Sequence, residues 1–252
     1  MSPVSTSKVD EYRFTLDGRI PVWKLHVEPR PRAAVILLHG LSSTPEEQRA
    51  ELVSLAEHGL TAVGFEVLHH GSRRDGWLEK MASARPPASH VLLLELVRAS
   101  VPEVVRVLEH LRAEGHGPIG MAGVSMGAYI ALAAATEEPR IQACASILGS
   151  PDWTPRSGPL TPEIARLLPA SPAARPAECA RHPLLLINAT LDEHVPAAFS
   201  RTFADKLARV EPALAQHVRS VEYPQSGHFM RPEDWHHAWA AVLGFFQHEL
   251  RG

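Results

Sequence analysis

The chain has 252 residues, enough to bury a sizeable core. Its formal net charge is −3 with no long run of lysine or arginine, which sets aside a nucleic-acid surface or an anionic-membrane patch. Two cysteines make neither a disulfide framework nor a Cys₂His₂-type ligand set, so free thiols in a reducing compartment and no metal are expected. The first ten residues are polar, with no signal-like apolar segment, and the longest apolar runs, such as 91–94 and 184–187, are far too short to span a bilayer. The expectation is a soluble, cytoplasmic protein.

In chain order, residues 12–16 and 19–27 flank Asp17-Gly18, a dipeptide suited to a tight turn, and predict an antiparallel edge pair. The unbroken apolar run 33–38 predicts a strand covered on both faces, leading into His39-Gly40-Leu41-Ser42-Ser43. Thr44-Pro45-Glu46-Glu47 reads as a helix start, with Thr44 as N-cap, Pro45 in the first position and Glu47 closing a capping box. Gly59 ends that helix and 61–67 is the next strand. A loop carrying His69-His70-Gly71-Ser72-Arg73-Arg74 runs on through Pro86-Pro87. From 88 to 113 the spacing is helical, with Val97, Val101, Val104, Val105, Leu108 and Leu111 on one face. Pro102 either kinks one long helix or opens a second one capped by Ser100.

A short apolar run from 118 then ends in Gly123-Val124-Ser125-Met126-Gly127 and passes at once into the Ala-rich segment 128–135. That is strand, sharp turn and helix with Ser125 at the apex. A Cβ at either glycine would crowd the following helix or the facing strand. Residues 142–148 form another strand. The stretch 150–183 is crowded with prolines and holds at most one short helix, 162–168; a connection this long in a compact domain is expected to be functional, and a lid is the natural reading. Strands 184–188 and 218–223 alternate with helices 197–208 and 232–250. The alternation predicts an α/β class fold, a parallel sheet with helices on both faces, organised as one domain over 1–252 with a lid insertion at about 150–183.

A serine hydroxyl needs a base, and parallel strands deliver their C-terminal ends to one crevice. Of 15 histidines, His228 follows the last strand through Pro224-Gln225-Ser226-Gly227 and fits that position. The acid that orients it is read as Asp192, after strand 184–188, with Asp152 second and Glu193 pointing elsewhere. Backbone N–H groups of Met126 and Leu41 are placed to meet an oxyanion. Trp77, Trp153, Phe229 and Val195, with Leu41, are candidates to line an apolar substrate pocket, with ordinary packing as the alternative. His69, His70, Arg73 and Arg74 form a basic cluster that either meets an acidic substrate group or is a solvated loop.

With these residues assembled, the chain resembles the α/β-hydrolase superfamily, and within it the small bacterial esterases and the dienelactone-hydrolase-like and prolyl-oligopeptidase-like serine hydrolases. The resemblance rests on His39-Gly40-Leu41-Ser42-Ser43, His70-Gly71-Ser72-Arg73, Gly123-Val124-Ser125-Met126-Gly127-Ala128, Leu148-Gly149-Ser150, Asp192 through Val195-Pro196, and Gly227-His228. It implies an eight-stranded, mostly parallel sheet with Ser125 as nucleophile, Asp192 as acid and His228 as base, and no cofactor. Asn188-Ala189 stands where many relatives carry His-Gly, and Leu68-His69 where they often place an aspartate. Dienelactone hydrolases proper use a cysteine nucleophile, which Ser125 replaces here. The implied activity is cleavage of carboxylic esters with small to medium acyl chains through an acyl-enzyme. The expected partner is a small-molecule ester, with no nucleic acid and no membrane, and the expected state is a monomer or homodimer. An acylaminopeptidase-like amide hydrolase and a non-catalytic ligand-binding protein on the same scaffold are the alternatives.

Overall fold

The computed structural model describes residues 8–251; the reading of the first ten residues as free of a signal falls mostly outside that range. Strands β1 (Val9–Leu16) and β2 (Ile20–Val27) pair antiparallel around Asp17 and Gly18, which both adopt positive φ (51° and 68°). There follow β3 (Ala34–Leu38), α1 (Arg49–Glu57), β4 (Thr61–Phe65), α2 (Trp77–Ser83), α3 (Ala88–Ala113), β5 (Ile119–Val124) and α4 (Met126–Glu137). The chain continues through β6 (Ala143–Ile147), α5 (Pro162–Leu167), α6 (Pro176–Cys179), β7 (Leu184–Ala189), α7 (Ala198–Val210), α8 (Pro212–Ala215), β8 (Val218–Tyr223) and α9 (Pro232–Glu249). The eight strands form one sheet in the order β1-β2-β4-β3-β5-β6-β7-β8. Only the β1–β2 and β2–β4 pairings are antiparallel.

Strand alternation divides the core into two layers. Ala34, Ile36 and Leu38 of β3 face a cluster built with α3, α4 and α7, while Val35 and Leu37 face α1 and α9 on the other side. Both faces of the central strands are therefore buried, which is why β3 reads as a continuous apolar run and β4, β6 and β7 as runs broken only by Thr61, Ser146 and Asn188. Cys144 and Cys179 are free and buried, and burial pushes the Cys179 thiol up to about 12. Among the described residues no helix is long and apolar enough to cross a membrane.

Three local expectations are corrected. Thr44 has the extended backbone of a cap, but the first turn, Pro45–Gln48, is a 3₁₀ turn. The Glu47 N–H donates to the Thr44 carbonyl at 3.2 Å, and the Glu47 carboxylate accepts from Ser43 Oγ at 2.6 Å, so there is no capping box. Ser100 caps no second helix: α3 runs unbroken past Pro102, and Ser100 Oγ donates one turn back to the Leu96 carbonyl at 2.8 Å. Pro102 is tolerated because it lies on the exposed side, where water can serve the Arg98 carbonyl that loses its helical donor. Segment 150–183 is also more helical than its prolines suggest, with α5 capped by Thr161, then α6 and two 3₁₀ turns. Ile164, Leu167 and Cys179 anchor it in the core.

Phe246 is fully buried between α9 and the sheet. Phe246→Ala is expected to lower unfolding free energy by about 3–5 kcal/mol, seen as a reduced denaturant midpoint with an unchanged slope.

Candidate active site

The C-terminal ends of β5, β7 and β8 open on the same edge of the sheet, with β6 between β5 and β7, and the loop after each supplies one polar side chain. Ser125 stands between β5 and α4 with φ 53° and ψ −116°, a conformation that costs a non-glycine residue of order 1–3 kcal/mol. It is held there by close packing and by its own N–H, which donates to the Ile147 carbonyl at 2.8 Å. A Cβ on Gly123 would stand 2.1 Å from the Gly127 carbonyl oxygen, and one on Gly127 would stand 2.3 Å from that of Leu38, so neither position admits a side chain.

Ser125 Oγ lies 2.9 Å from Nε2 of His228, and His228 Nδ1 donates to Asp192 Oδ2 at 2.8 Å. The three residues named from sequence are thus brought into one hydrogen-bonded line. The Asp192 side chain is wholly buried, and its Oδ1 accepts the N–H groups of His194 and Val195, each at 2.8 Å. Burial pushes this carboxyl's pKa up, but the His228 bond and the Val195 and His194 donors outweigh it and hold the acid below its ordinary value. The rival acids are elsewhere: Asp152 accepts from the N–H and hydroxyl of Thr154, and Glu193 is exposed.

The loop that carries His228 is braced as well. Ser226 is buried, donates to Asp234 Oδ2 at 2.7 Å and accepts the Arg231 N–H at 3.0 Å, while the Leu191 N–H donates to its carbonyl at 3.0 Å. Ser226 and Asp234 were not singled out from sequence; a serine two residues before the histidine and an aspartate in the first turn of α9 were the available signals.

Leu41 follows β3, and a Cβ on its neighbour Gly40 would rest 3.8 Å from Ser125 Cβ, so this loop lies against the serine. The Leu41 and Met126 N–H groups donate to no other described group of the protein. His39 locks the loop from behind: its Nε2 accepts the Val67 N–H at 3.1 Å and its Nδ1 donates to the Gly40 carbonyl at 2.9 Å. Complete burial, with a small push from His70 and against the pull of the Gly40 carbonyl, lowers the His39 pKa to about 4.

A cavity of about 780 Å³ opens over Ser125. Val195 and the 90 % exposed Phe229 border it, as expected, together with Leu41. Trp77 and Trp153 do not. Trp153 is buried in the core, its carbonyl accepting from His90 Nε2, and Trp77 stacks on His69 at 5.2 Å. Tyr129, Phe199 and Trp235, missed from sequence, supply aromatic wall instead. The basic cluster is not a free anion site, and the solvated-loop alternative holds for its exposed part, Gly71, Ser72, Arg74 and Asp75, but not for His70 and Arg73. Arg73 forms a buried bidentate pair with Glu103, Arg74 pairs with Glu79, His69 bonds Asp75, and His70 is fully buried against the Leu68 carbonyl. Asn188, at the position where many relatives carry histidine, donates to the Gly149 carbonyl at 3.1 Å. Among the described residues one group could offer three metal donors, Asp10, His26 and Glu28. It sits on the β1–β2 hairpin outside the cavity, with His26 Nε2 already bonded to Glu28.

Sequence comparison places these features in a family. The Prolyl oligopeptidase family matches residues 94–252, and Alpha/beta hydrolase domain containing 18 matches residues 23–161. The chain belongs to the prolyl oligopeptidase family of α/β-hydrolases. Among proteins similar to this hydrolase, YitV of Bacillus subtilis, an inferred esterase, is 32% identical over 209 residues, covering 73% of this chain and 79% of its own. Esterase YjfP of Escherichia coli is 29% identical over 262 residues, covering 92% and 96%. The crystal structure of TT1662 from Thermus thermophilus superimposes with a TM-score of 0.78 at 25% identity, over 97% of this hydrolase and 99% of that chain.

Because the folded hydrolase keeps His39 neutral down to about pH 4 while the unfolded chain protonates near 6.5, this group's stabilisation is complete above 6.5. It is lost as pH falls from 6.5 towards 4, by about 3 kcal/mol. His70, lowered chiefly by burial, acts in the same direction. Urea unfolding across this range is expected to show the slope, and His39→Gln, which keeps a donor and an acceptor but takes up no proton, is expected to flatten it.

Proposed function

We propose that this hydrolase is a serine carboxylesterase acting through an acyl-enzyme. The observation that carries the reading is the unbroken line Ser125 Oγ–His228–Asp192, at 2.9 and 2.8 Å. Ser125 Oγ attacks the ester carbonyl carbon as its proton passes to His228 Nε2. The carbonyl oxygen becomes an oxyanion, met by the Leu41 and Met126 N–H groups, a contribution of about 3–4 kcal/mol to the barrier for each well-placed donor. His228 returns the proton to the alkoxide as the C–O bond breaks, and the alcohol departs. Water then attacks the acyl-enzyme with His228 again taking the proton, and the acid leaves as Ser125 is reprotonated. Asp192, held ionised, fixes the imidazole with hydrogen on Nδ1 and stabilises the cation formed at each step.

Residues 154–157 of the segment between β6 and β7 border the cavity and serve as the cover that limits water around the reacting carbonyl. The family match also favours a second reading, in which the same residues cleave an amide. Parallel rates on p-nitrophenyl acetate and an aminoacyl anilide separate the two, and faster anilide turnover would displace the ester.

Ser125→Ala is expected to abolish labelling by a fluorophosphonate and to lower p-nitrophenyl acetate turnover by at least about a thousandfold. Undiminished turnover in this variant would refute the assignment. Asp192→Asn is expected to leave labelling geometry intact but reduce kcat by about 10³–10⁴-fold, because the neutral amide no longer enforces the reactive tautomer. Steady-state kinetics with matched circular dichroism check both.

A further inference from the structure

We propose that the ester taken by this cavity carries a carboxylate, and that Arg156 binds it; the proposal rests on the serine-esterase reading above. Among the described residues no aspartate or glutamate lines the cavity, and Arg156 is the only lining side chain of these that carries a fixed charge. Most of the wall is apolar, including Leu41, Leu93, Phe199 and Trp235. Arg156 is exposed, so it stands at the rim with water on one side and this wall on the other, and its attraction for an anionic partner is partly screened and salt-dependent.

Arg156 also differs from the arginines of the loop after β4. Arg73 and Arg74 are tied to Glu103 and Glu79, whereas Arg156 makes no ion pair and no hydrogen bond with any described residue. The acid nearest in sequence, Asp152, is taken up within its own turn by the Thr154 N–H at 2.8 Å and hydroxyl at 2.6 Å. That turn, followed by Pro155 with its fixed φ, gives the guanidinium an anchored base from which to reach over the cavity. The planar fork matches a carboxylate in two parallel hydrogen bonds, which suits Arg better than Lys for the task. A substrate with an ester at Ser125 and a carboxylate at Arg156 would be oriented at both ends, with its hydrocarbon against the wall between them.

The test compares paired esters on the full chain. Mono-p-nitrophenyl esters of adipic and pimelic acids are set against p-nitrophenyl hexanoate and heptanoate, which place the carboxylate or its absence on the acyl side. Acetate esters of ω-hydroxy acids against those of the matching alkanols do the same for the alcohol side. In at least one arm the wild type is expected to prefer the anionic ester, and Arg156→Gln is expected to lower the anionic-to-neutral ratio of kcat/KM by about tenfold, mainly through KM. Arg156→Lys is expected to fall between the two, and added salt to shrink the preference. Lys206→Gln, which removes an exposed cation outside this cavity, is expected to leave the ratio unchanged. If neither arm shows a preference, or if Arg156→Gln and Lys206→Gln shift the ratio alike, the proposal is overturned while esterase activity stands. If neutral esters are not cleaved and fluorophosphonate does not label Ser125, both readings fall together.

Discussion

The first turn of α4 lies so close to the ends of β3 and β5 that no side chain fits at Gly123 or Gly127, and the rest of the site depends on that approach. Gly123 and Gly127 make it possible, since a Cβ at either would overlap backbone at 2.1 or 2.3 Å. The turn between them then has one course, which lifts Ser125 above the sheet edge and presents the Met126 N–H beside it. Positive φ at non-glycine residues recurs along this edge, at Ser42 after β3, His69 after β4, Ser125 after β5 and Leu148 after β6. Four neighbouring strands therefore hand over to their loops through uncommon backbone geometry. The core clusters on the two faces of the sheet are what hold these turns in place.

Charge at this edge is arranged by opposing burial against hydrogen bonding. Asp192 is as shielded from water as any core residue, yet three N–H donors keep it ionised. His39 is equally shielded but bonded as a neutral ring, accepting through one nitrogen and donating through the other, and burial decides its state. The same physical cost thus yields a fixed anion at one position and, at the other, an imidazole that stays neutral down to about pH 4, according to the partners supplied. The first sits behind His228 and the second behind the Leu41 loop.

Much of this arrangement was legible in the sequence, because its determinants are local. Alternating strands and helices gave the sheet, and chain order put Ser125, Asp192 and His228 after three strands that end on the same edge. The failures share a cause in tertiary packing. Trp77 opens α2 and Trp153 sits in the loop after β6, but whether a large apolar side chain lines a cavity or fills the core depends on what packs over it. The solvated-loop reading of the cluster from His69 to Arg74 fails only for its inner part, because Glu103, the partner of Arg73, comes from the middle of α3. Phe199 and Trp235 reach the cavity from helices whose periodicity marks only the face toward the sheet, and Tyr129 reaches it from α4, which is buried on every side and so marks no face. The capping box failed for a smaller reason, since a 3₁₀ turn spends the Glu47 N–H on the Thr44 carbonyl.

The loops after β7 and β8 are stitched together by backbone bonds, the Leu191 N–H to the Ser226 carbonyl at 3.0 Å and the Thr190 N–H to that of Tyr223 at 3.0 Å, while Ser226 is pegged to Asp234 in α9. Residues 189–196 and 224–234 therefore constitute one interchangeable cassette rather than two. Transplanting either stretch alone from a homologue severs the seam, so diversification of this enzyme by loop exchange has to move both pieces, with the first turn of the closing helix, as a single graft.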